Sequence, residues 1–332
     1  MTSIAPALIV KLREIEQDTA ATFTSAGFCV RSSGSACYYV KTGSPLEMEQ
    51  YQGECSPMKD VLLSYFIETG ETKSLEAIEQ AAAGLAPRVF SVGYIQADED
   101  EEDEDEEENQ RSYMISEYKF LQPLSGDRAL ELARRLALEL HAFKSDRGFG
   151  FECATYCGAT RTQGRFFESW AACFADMIQS LLSTLRDQPQ WKEVVNLGDQ
   201  IVSTVIPFLL GPPLDVDPVL LHGDLWSGNV GVDSNTSQPI IYDPASYFGH
   251  NEAELSIMRM FGGFAPSFFQ EYHKHRPKAH PVSEYDKRQL LYELFHYLNH
   301  TCIFRSESYA AQAKSRCVEL LSFVANHSGP RL

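Results

Sequence analysis

Leu221-His222-Gly223-Asp224-Leu225-Trp226-Ser227-Gly228-Asn229-Val230 decides how this chain of 332 residues is read. The segment joins two β-like runs, 219–222 and 229–233. A third run, Pro239-Ile240-Ile241-Tyr242-Asp243, ends on an aspartate fourteen residues after Asn229. Phosphoryl transfer from a nucleotide requires a carboxylate to take the proton of an attacking hydroxyl. It also requires oxygen ligands that hold Mg²⁺ against the phosphates. Asp224 fits the first task, and Asn229 with Asp243 fits the second. An isolated Asp-x4-Asn arises by chance in most chains of this length. The setting between strands, with an aspartate closing the next one, separates this instance from chance.

The Asp-to-Asn spacing of five matches the protein-kinase catalytic loop H-R-D-x4-N. Gly223 stands where many kinases carry the arginine that pairs with a phosphorylated activation loop, so activation by that route is not expected. A kinase also needs a strand lysine for the α- and β-phosphates. Lys41, closing Tyr38-Tyr39-Val40-Lys41, fits, with Glu54 on the following helical region as its partner and Glu76 as the alternative. The connector Ile115-Ser116-Glu117-Tyr118 is placed to meet adenine through backbone groups.

Farther out, charge narrows the field. The chain has 28 Lys+Arg against 46 Asp+Glu, a net charge of −18 and a pI near 4.9. A nucleic-acid binder draws its affinity from cations on phosphates, and an anionic membrane surface would repel this chain. Residues 98–108 are eleven consecutive acids and leave only −7 for all the rest. Such a block repels itself and reads as a loop. Strand-like runs at 88–95 and 112–117 flank it, so it expands the turn of a β-hairpin. It is either a solvated insert or a contact for basic, lysine-rich partners. The hydrophobic share of 44% and charged share of 22% are those of a globular protein.

No run approaches the ~18–20 apolar residues of a membrane span. The N-terminus reads as a helix and not as a leader. The eight cysteines form no C-x-x-C pair and no zinc-like cluster with histidine. They read as reduced thiols, which places the chain in the cytoplasm, with organelle import left open.

Periodicity predicts a helix over 8–23, strands over 28–31 and 36–41, helical stretches at 46–55 and 58–66, and a helix over 74–83. Helices follow at 127–143, 170–185 and 191–209. After the β-like island come 252–260, 264–273, 284–300 and 308–324. The expected class is α+β and bilobal, in the manner of a protein kinase. A small β-rich N-terminal nucleotide-binding lobe (1–120) precedes a larger, mainly helical lobe (121–332) for catalysis and substrate.

The sequence resembles the fructosamine kinase (ketosamine 3-kinase) family, within the aminoglycoside-phosphotransferase-like, protein-kinase-like fold. The carriers are the quoted segment, Tyr242-Asp-Pro-Ala-Ser-Tyr-Phe-Gly-His250, Glu254-Leu255 and Met260-Phe-Gly-Gly-Phe264. Leu291-Tyr-Glu-Leu-Phe-His-Tyr-Leu-Asn-His300, Gly148-Phe-Gly-Phe151 and Phe167-Glu-Ser-Trp170 continue it, and Tyr39-Val-Lys41 and Tyr51-Gln-Gly-Glu54 extend it upstream. The resemblance implies ATP-dependent phosphorylation of the sugar 3-hydroxyl of ketosamines, carried by small amines or by glycated proteins. The phosphorylated adduct then falls apart and frees the amine, which is protein repair.

Carried over residue by residue, Asp224 is the general base, Asn229 and Asp243 hold Mg²⁺, and Lys41 with Glu54 positions phosphate. Gly27 marks the phosphate loop, which departs from the family's glycine-rich run by keeping one glycine in Ser25-Ala26-Gly27-Phe28-Cys29. Residues 56–73 look like an insertion. Trp226 either covers the sugar and attracts its protonated amine or packs the loop. His250 either bonds substrate or is structural, and Cys29 is either a small strand residue or a redox control point. The alternatives are a kinase for another hydroxylated amine, such as choline or an aminoglycoside, and a weakly catalytic nucleotide-binding interaction protein.

Overall fold

The structure, a computed structural model, describes residues 4–42, 70–96 and 110–327. Glu54, the expected helical stretches 46–55 and 58–66, and the acidic run lie outside the described residues.

Helix α1 (Pro6–Glu16) opens on a proline, whose missing N–H costs nothing in a first turn. It stops at Gln17, which turns left-handed (φ 54°) and returns its N–H to the last carbonyls. The helix expected to run to residue 23 therefore ends early. Residues 23–26 instead form a strand, because pairing with the next strand outweighs their local preference. Strands β1 (Phe23–Ala26), β2 (Cys29–Ser32), β3 (Cys37–Thr42), β4 (Val89–Gln96) and β5 (Gln110–Glu117) make one antiparallel sheet in the order β1-β2-β3-β5-β4.

Gly27 (φ 61°) permits the two-residue turn between β1 and β2. Strands β4 and β5 pair out to Gln96 and Gln110, so the acidic run connects the two arms of a hairpin. Helix α1 buries Leu8 and Leu12 against Val30, Tyr38, Ile95, Tyr113 and Ile115 of the sheet. Helix α2 (70–81) starts four residues earlier than the expected 74, within the segment read as an insertion.

A second small sheet pairs Leu121–Gln122 with Val230–Asp233 and, beyond it, Pro239–Ile241. This long-range pairing draws a downstream hairpin into the first of two compact units. That unit is Met1–Pro123 with Gly231–Tyr242, and the second is Leu124–Val230 with Asp243–Leu332.

The second unit holds helices α3 (Gly126–Leu138), α4 (Trp170–Arg186), α5 (192–210), α6 (Asn251–Phe261), α7 (Pro266–His275), α8 (Tyr285–Phe304) and α9 (Glu307–His327). In α5 a π-helical stretch, Ile201–Val205, precedes Pro207. Proline has no N–H to close a normal turn, and the wider register accommodates that loss. The stretch Pro189–Leu210 has the length and mean hydropathy (1.2) of a membrane-crossing helix. Its Val194, Val195, Ile201, Val205, Ile206 and Leu209 nonetheless lie in the core with residues of α4 and α9. Four short strands, at Phe166–Phe167, Phe149–Gly150, Tyr247–Gly249 and Val219–Leu221, add a sheet. Sequence reading found only the last, since two or three residues are too short to show a period.

Arg288 of α8 and Glu252 of α6 are both fully buried. Their paired bonds measure 2.7 Å (Nε to Oε2) and 3.1 Å (Nη2 to Oε1). The guanidinium also donates to the carbonyls of Ala279 (2.8 Å) and Pro281 (3.0 Å), so each nitrogen of this buried cation has a partner.

Candidate active site

Strand Val219–Leu221 delivers the loop that begins at His222. Gly223 has φ 87°, and a Cβ there would lie 2.1 Å from the Ala245 carbonyl oxygen. The glycine in the arginine position of the kinase pattern thus has a steric cause: the 245 backbone lies directly against it, with Ala245 N–H bonded to the His222 carbonyl at 2.8 Å.

Glu254 of α6, 2% exposed, fixes the loop from beneath. Its Oε2 accepts the His222 N–H, and its Oε1 accepts the Gly223 N–H at 3.1 Å. The basic group facing it is His141 Nε2, at 3.6 Å. Burial pushes His141 below its ordinary value, so it stands neutral and leaves the Glu254 charge uncancelled. His141 Nδ1 meets Tyr272 Oη at 2.7 Å, and that hydroxyl also accepts from Asn251 Nδ2 at 2.9 Å. The Tyr272 proton is therefore the one given to Nδ1, which leaves the His141 N–H on Nε2, toward Glu254.

Asp224 follows. Burial raises its carboxyl from 3.8 to about 7, with the negative charges of Glu254 and Asp243 adding to the rise. A carboxyl poised near neutrality is what a general base requires. Asn229 closes the loop: its Nδ2 donates to the Asp224 carbonyl at 2.9 Å, which leaves the amide Oδ1 as its ligand atom. Asp243 is exposed and left-handed (φ 55°), a backbone conformation that costs energy for any residue but glycine and clusters at working sites. Asp243 and the Asn229 amide are hard oxygen donors. Magnesium takes one or two such groups and completes its shell with phosphate and water, so the pair fits that ion.

Glu254→Gln keeps the shape but replaces one acceptor oxygen by an NH₂ facing a backbone N–H. A loss of about 2 kcal/mol is expected from the unsatisfied buried donor. A roughly tenfold fall in kcat should accompany it as the loop loosens. Urea denaturation and steady-state kinetics measure both; unchanged values would remove Glu254 as the anchor.

Trp226 is 39% exposed. Its ring lies over Gly228, where a Cβ would come within 2.2 Å of it, and it meets Phe261 edge-on at 6.0 Å. Phe261 in turn meets His300 at 5.2 Å. Both sequence readings of Trp226 therefore have a physical basis, since the ring packs the loop and still presents surface. His250 does not. It is fully buried, bonded through Nδ1 to Tyr292 Oη at 2.8 Å, and pushed well below its ordinary value by burial. A side chain enclosed in the core cannot meet substrate, so the substrate reading of His250 is corrected to a structural one.

In the first unit Lys41 Nζ donates to Glu71 at 2.6 Å. Glu71 was missed because it sits in the stretch read as an insertion. The alternative partner Glu76 is bonded to Lys73 instead, at 2.8 Å. The Glu117 N–H donates to the Arg88 carbonyl (2.9 Å) and the Tyr118 N–H to that of Cys37 (3.3 Å). Both backbone N–H groups are thus engaged within the first unit. Cys29 follows the Gly27 turn, and burial and the adjoining Cys37 thiol push its own thiol up. It stays in the slowly reacting form, which weighs against a redox role.

A sequence model described as fructosamine kinase matches residues 58–323. A chloroplastic protein-ribulosamine 3-kinase of Arabidopsis thaliana is 38% identical over 206 residues, 61% of this chain and 60% of that protein. A ketosamine-3-kinase of Mus musculus is 42% identical over 153 residues, 46% of this chain and 47% of that one. The chain thus spans about half to three-fifths of the length of these relatives. A crystal structure assigned to the fructosamine-3-kinases, from Haemophilus somnus 129PT, superposes with a TM-score of 0.71 at 17% identity, covering 95% of this chain and 96% of that one. An aminoglycoside phosphotransferase gives 0.54 at 15% identity over 97% and 99%. At such identities the likeness bears on the fold alone, which is the protein-kinase-like one expected from the sequence.

Proposed function

The chain belongs to the fructosamine kinase family, and we propose that it transfers the γ-phosphoryl group of ATP to the sugar 3-hydroxyl of ketosamines. The observation that carries this reading is the Asp224 carboxyl, raised to about 7 on a loop whose backbone is clamped by Glu254. As the 3-oxygen attacks the γ-phosphorus, Asp224 takes the hydroxyl proton. The bond from phosphorus to the bridging oxygen breaks, its electron pair leaves on ADP, and the sugar becomes a 3-phosphate. A base near 7 is ionised in a large share of molecules at neutral pH, yet strong enough to keep the proton it accepts.

Asn229 Oδ1 and Asp243 would hold magnesium, which supplies positive charge against the phosphate oxygens. Asn229 also ties the Asp224 backbone, so one side chain serves both the ligand set and the base. Lys41, oriented by Glu71, is the cation for the α- and β-phosphates. The 3-phosphate adduct then decomposes and releases the amine, which makes the reaction a deglycation.

The test is ATP turnover with a panel of fructosamines and ribulosamines, with choline and an aminoglycoside as controls, and NMR location of the new phosphate. A 3-phosphate from the ketosamines alone is expected. Phosphorylation of choline or the aminoglycoside alone would overturn the reading. Trp226 is assigned to the sugar and its protonated amine. Trp226→Ala should raise the ketosamine KM about tenfold, in line with a cation–π contact of ~1–2 kcal/mol, and leave the KM of ATP as it was. An unchanged ketosamine KM would return Trp226 to a purely packing role.

A further inference from the structure

From the catalytic loop runs a row of aromatic rings that the reaction, as derived, uses only at its first member. Trp226 meets Phe261, the last residue of α6, at 6.0 Å between ring centroids. Phe261 meets His300 of α8 at 5.2 Å. His300 meets Phe304, the last residue of α8, at 5.6 Å and Tyr309 of α9 at 4.9 Å, and those two meet each other at 5.9 Å. Four elements distant in sequence thus supply one continuous row, all within the second unit. The backbone after α6 fastens the row to the catalytic loop, since a Cβ on Gly263 would collide with the Ser227 side chain. The row is also open to solvent: Phe261 is 40% exposed and Phe304 59%. Burial pushes His300 below its ordinary value, so this ring is neutral and brings no charge to the row.

We propose that this row extends the acceptor site and seats the polypeptide around a glycated lysine, with an aromatic or large aliphatic side chain near that lysine lying on Phe304 and Tyr309. This rests on the reading of the acceptor as a ketosamine. Trp226 is the ring assigned to the sugar and its amine, so whatever carries the amine continues from there along the row. A sugar on a small amine covers only the first ring, and three more steps lie beyond it. In an extended peptide, side chains on one face recur every two residues, about 6.6 Å apart. The ring steps of 4.9 to 6.0 Å come near that spacing, so successive same-face side chains can meet successive rings. Contiguous apolar surface left open on a folded chain marks a contact site, and aromatic side chains are enriched at such contacts.

The test uses two acetylated pentapeptides with fructosyl-lysine at the centre, glycine on either side of it, and phenylalanine or serine at both ends. In the parent chain kcat/KM should be about tenfold higher for the phenylalanine peptide. Phe304→Ser and Tyr309→Ser should each bring the ratio of the two peptides to within about twofold of one. Val318→Ser, at an exposed apolar position of α9 outside the row, should keep the parental ratio. A variant that is merely damaged loses both peptides alike, so the ratio separates lost contact from lost fold. Equal kcat/KM for the two peptides in the parent, or a parental ratio in both row variants, would overturn the proposal. So would a parent that sediments as a dimer and a Phe304→Ser variant that sediments as a monomer, which would assign the row to a second copy of the chain.

A readout independent of turnover is the emission of Trp226, the exposed one of three tryptophans, since Trp170 and Trp191 are buried. Titrated without ATP, the phenylalanine peptide should bind the parent about tenfold more tightly than the serine peptide, and Phe304→Ser should remove the difference. Equal affinities in the parent refute the row. Absence of ketosamine turnover in the parent chain would instead remove the proposed function, and the titration would still decide whether the row takes a peptide.

Discussion

Asp224→Asn should lower kcat by about a thousandfold, within the range of ~10²–10⁴ that a positioned base contributes. In the magnesium-free protein it should also raise the melting temperature. Both effects come from the same burial. The carboxyl sits at about 7 in the folded chain against an ordinary 3.8. The cost of ionising it in place is therefore absent below the lower value, grows through the interval, and is complete above the upper one. At about 1.4 kcal/mol per pH unit the full cost approaches roughly 4 kcal/mol, and solvent screening of this partly exposed group reduces it to about 2. The neutral amide avoids the cost. Its advantage should be larger at pH 8 than at pH 5, and amount to several degrees by thermal denaturation. Equal melting shifts at both pH values would sink the electrostatic account. Turnover intact in the variant would remove Asp224 as the base.

Arg288→Leu should be the most destabilising of the substitutions considered, at about 3–5 kcal/mol, because it strands the buried Glu252 carboxylate without its cation. The carbonyls of Ala279 and Pro281 lose donors at the same time. Replacing both partners, Arg288→Leu with Glu252→Leu, should recover much of the loss, since two apolar groups leave no charge in the core. Urea denaturation of the single and double variants measures this. A single variant within about 1 kcal/mol of the parent would mean that the pair is hydrated in solution.

The two residues affect different properties. Asp224 carries charge at a cost to stability, while Arg288 neutralises the charge that α6 brings into the core. That helix places Glu252 and Glu254 two positions apart. The first is fully paired, and the second is spent on the backbone of the catalytic loop.

The sequence made the linear parts of the site legible. His222 to Asn229 is a local segment, and Asp243 ends the next strand, so their order and spacing carry the chemistry without knowledge of the fold. Apolar periodicity likewise located the major helices, because burial of one face repeats along the chain. The hairpin around the acidic run was legible from its flanking strands.

Residues that act through distant contacts were not legible. Glu254 appeared only as part of a resembling stretch, and nothing local says that its oxygens meet the His222 and Gly223 amides. Glu71 was hidden in an apparent insertion. The sequence left His250 between substrate and structure, and only packing shows it enclosed. The sequence by itself determined which side chains can move a proton and bind a cation, because that depends on functional groups and their spacing along one loop. Only the tertiary structure decided that the Asp224 carboxyl is raised to about 7, since burial and uncancelled neighbouring charge exist only once the chain has folded around it.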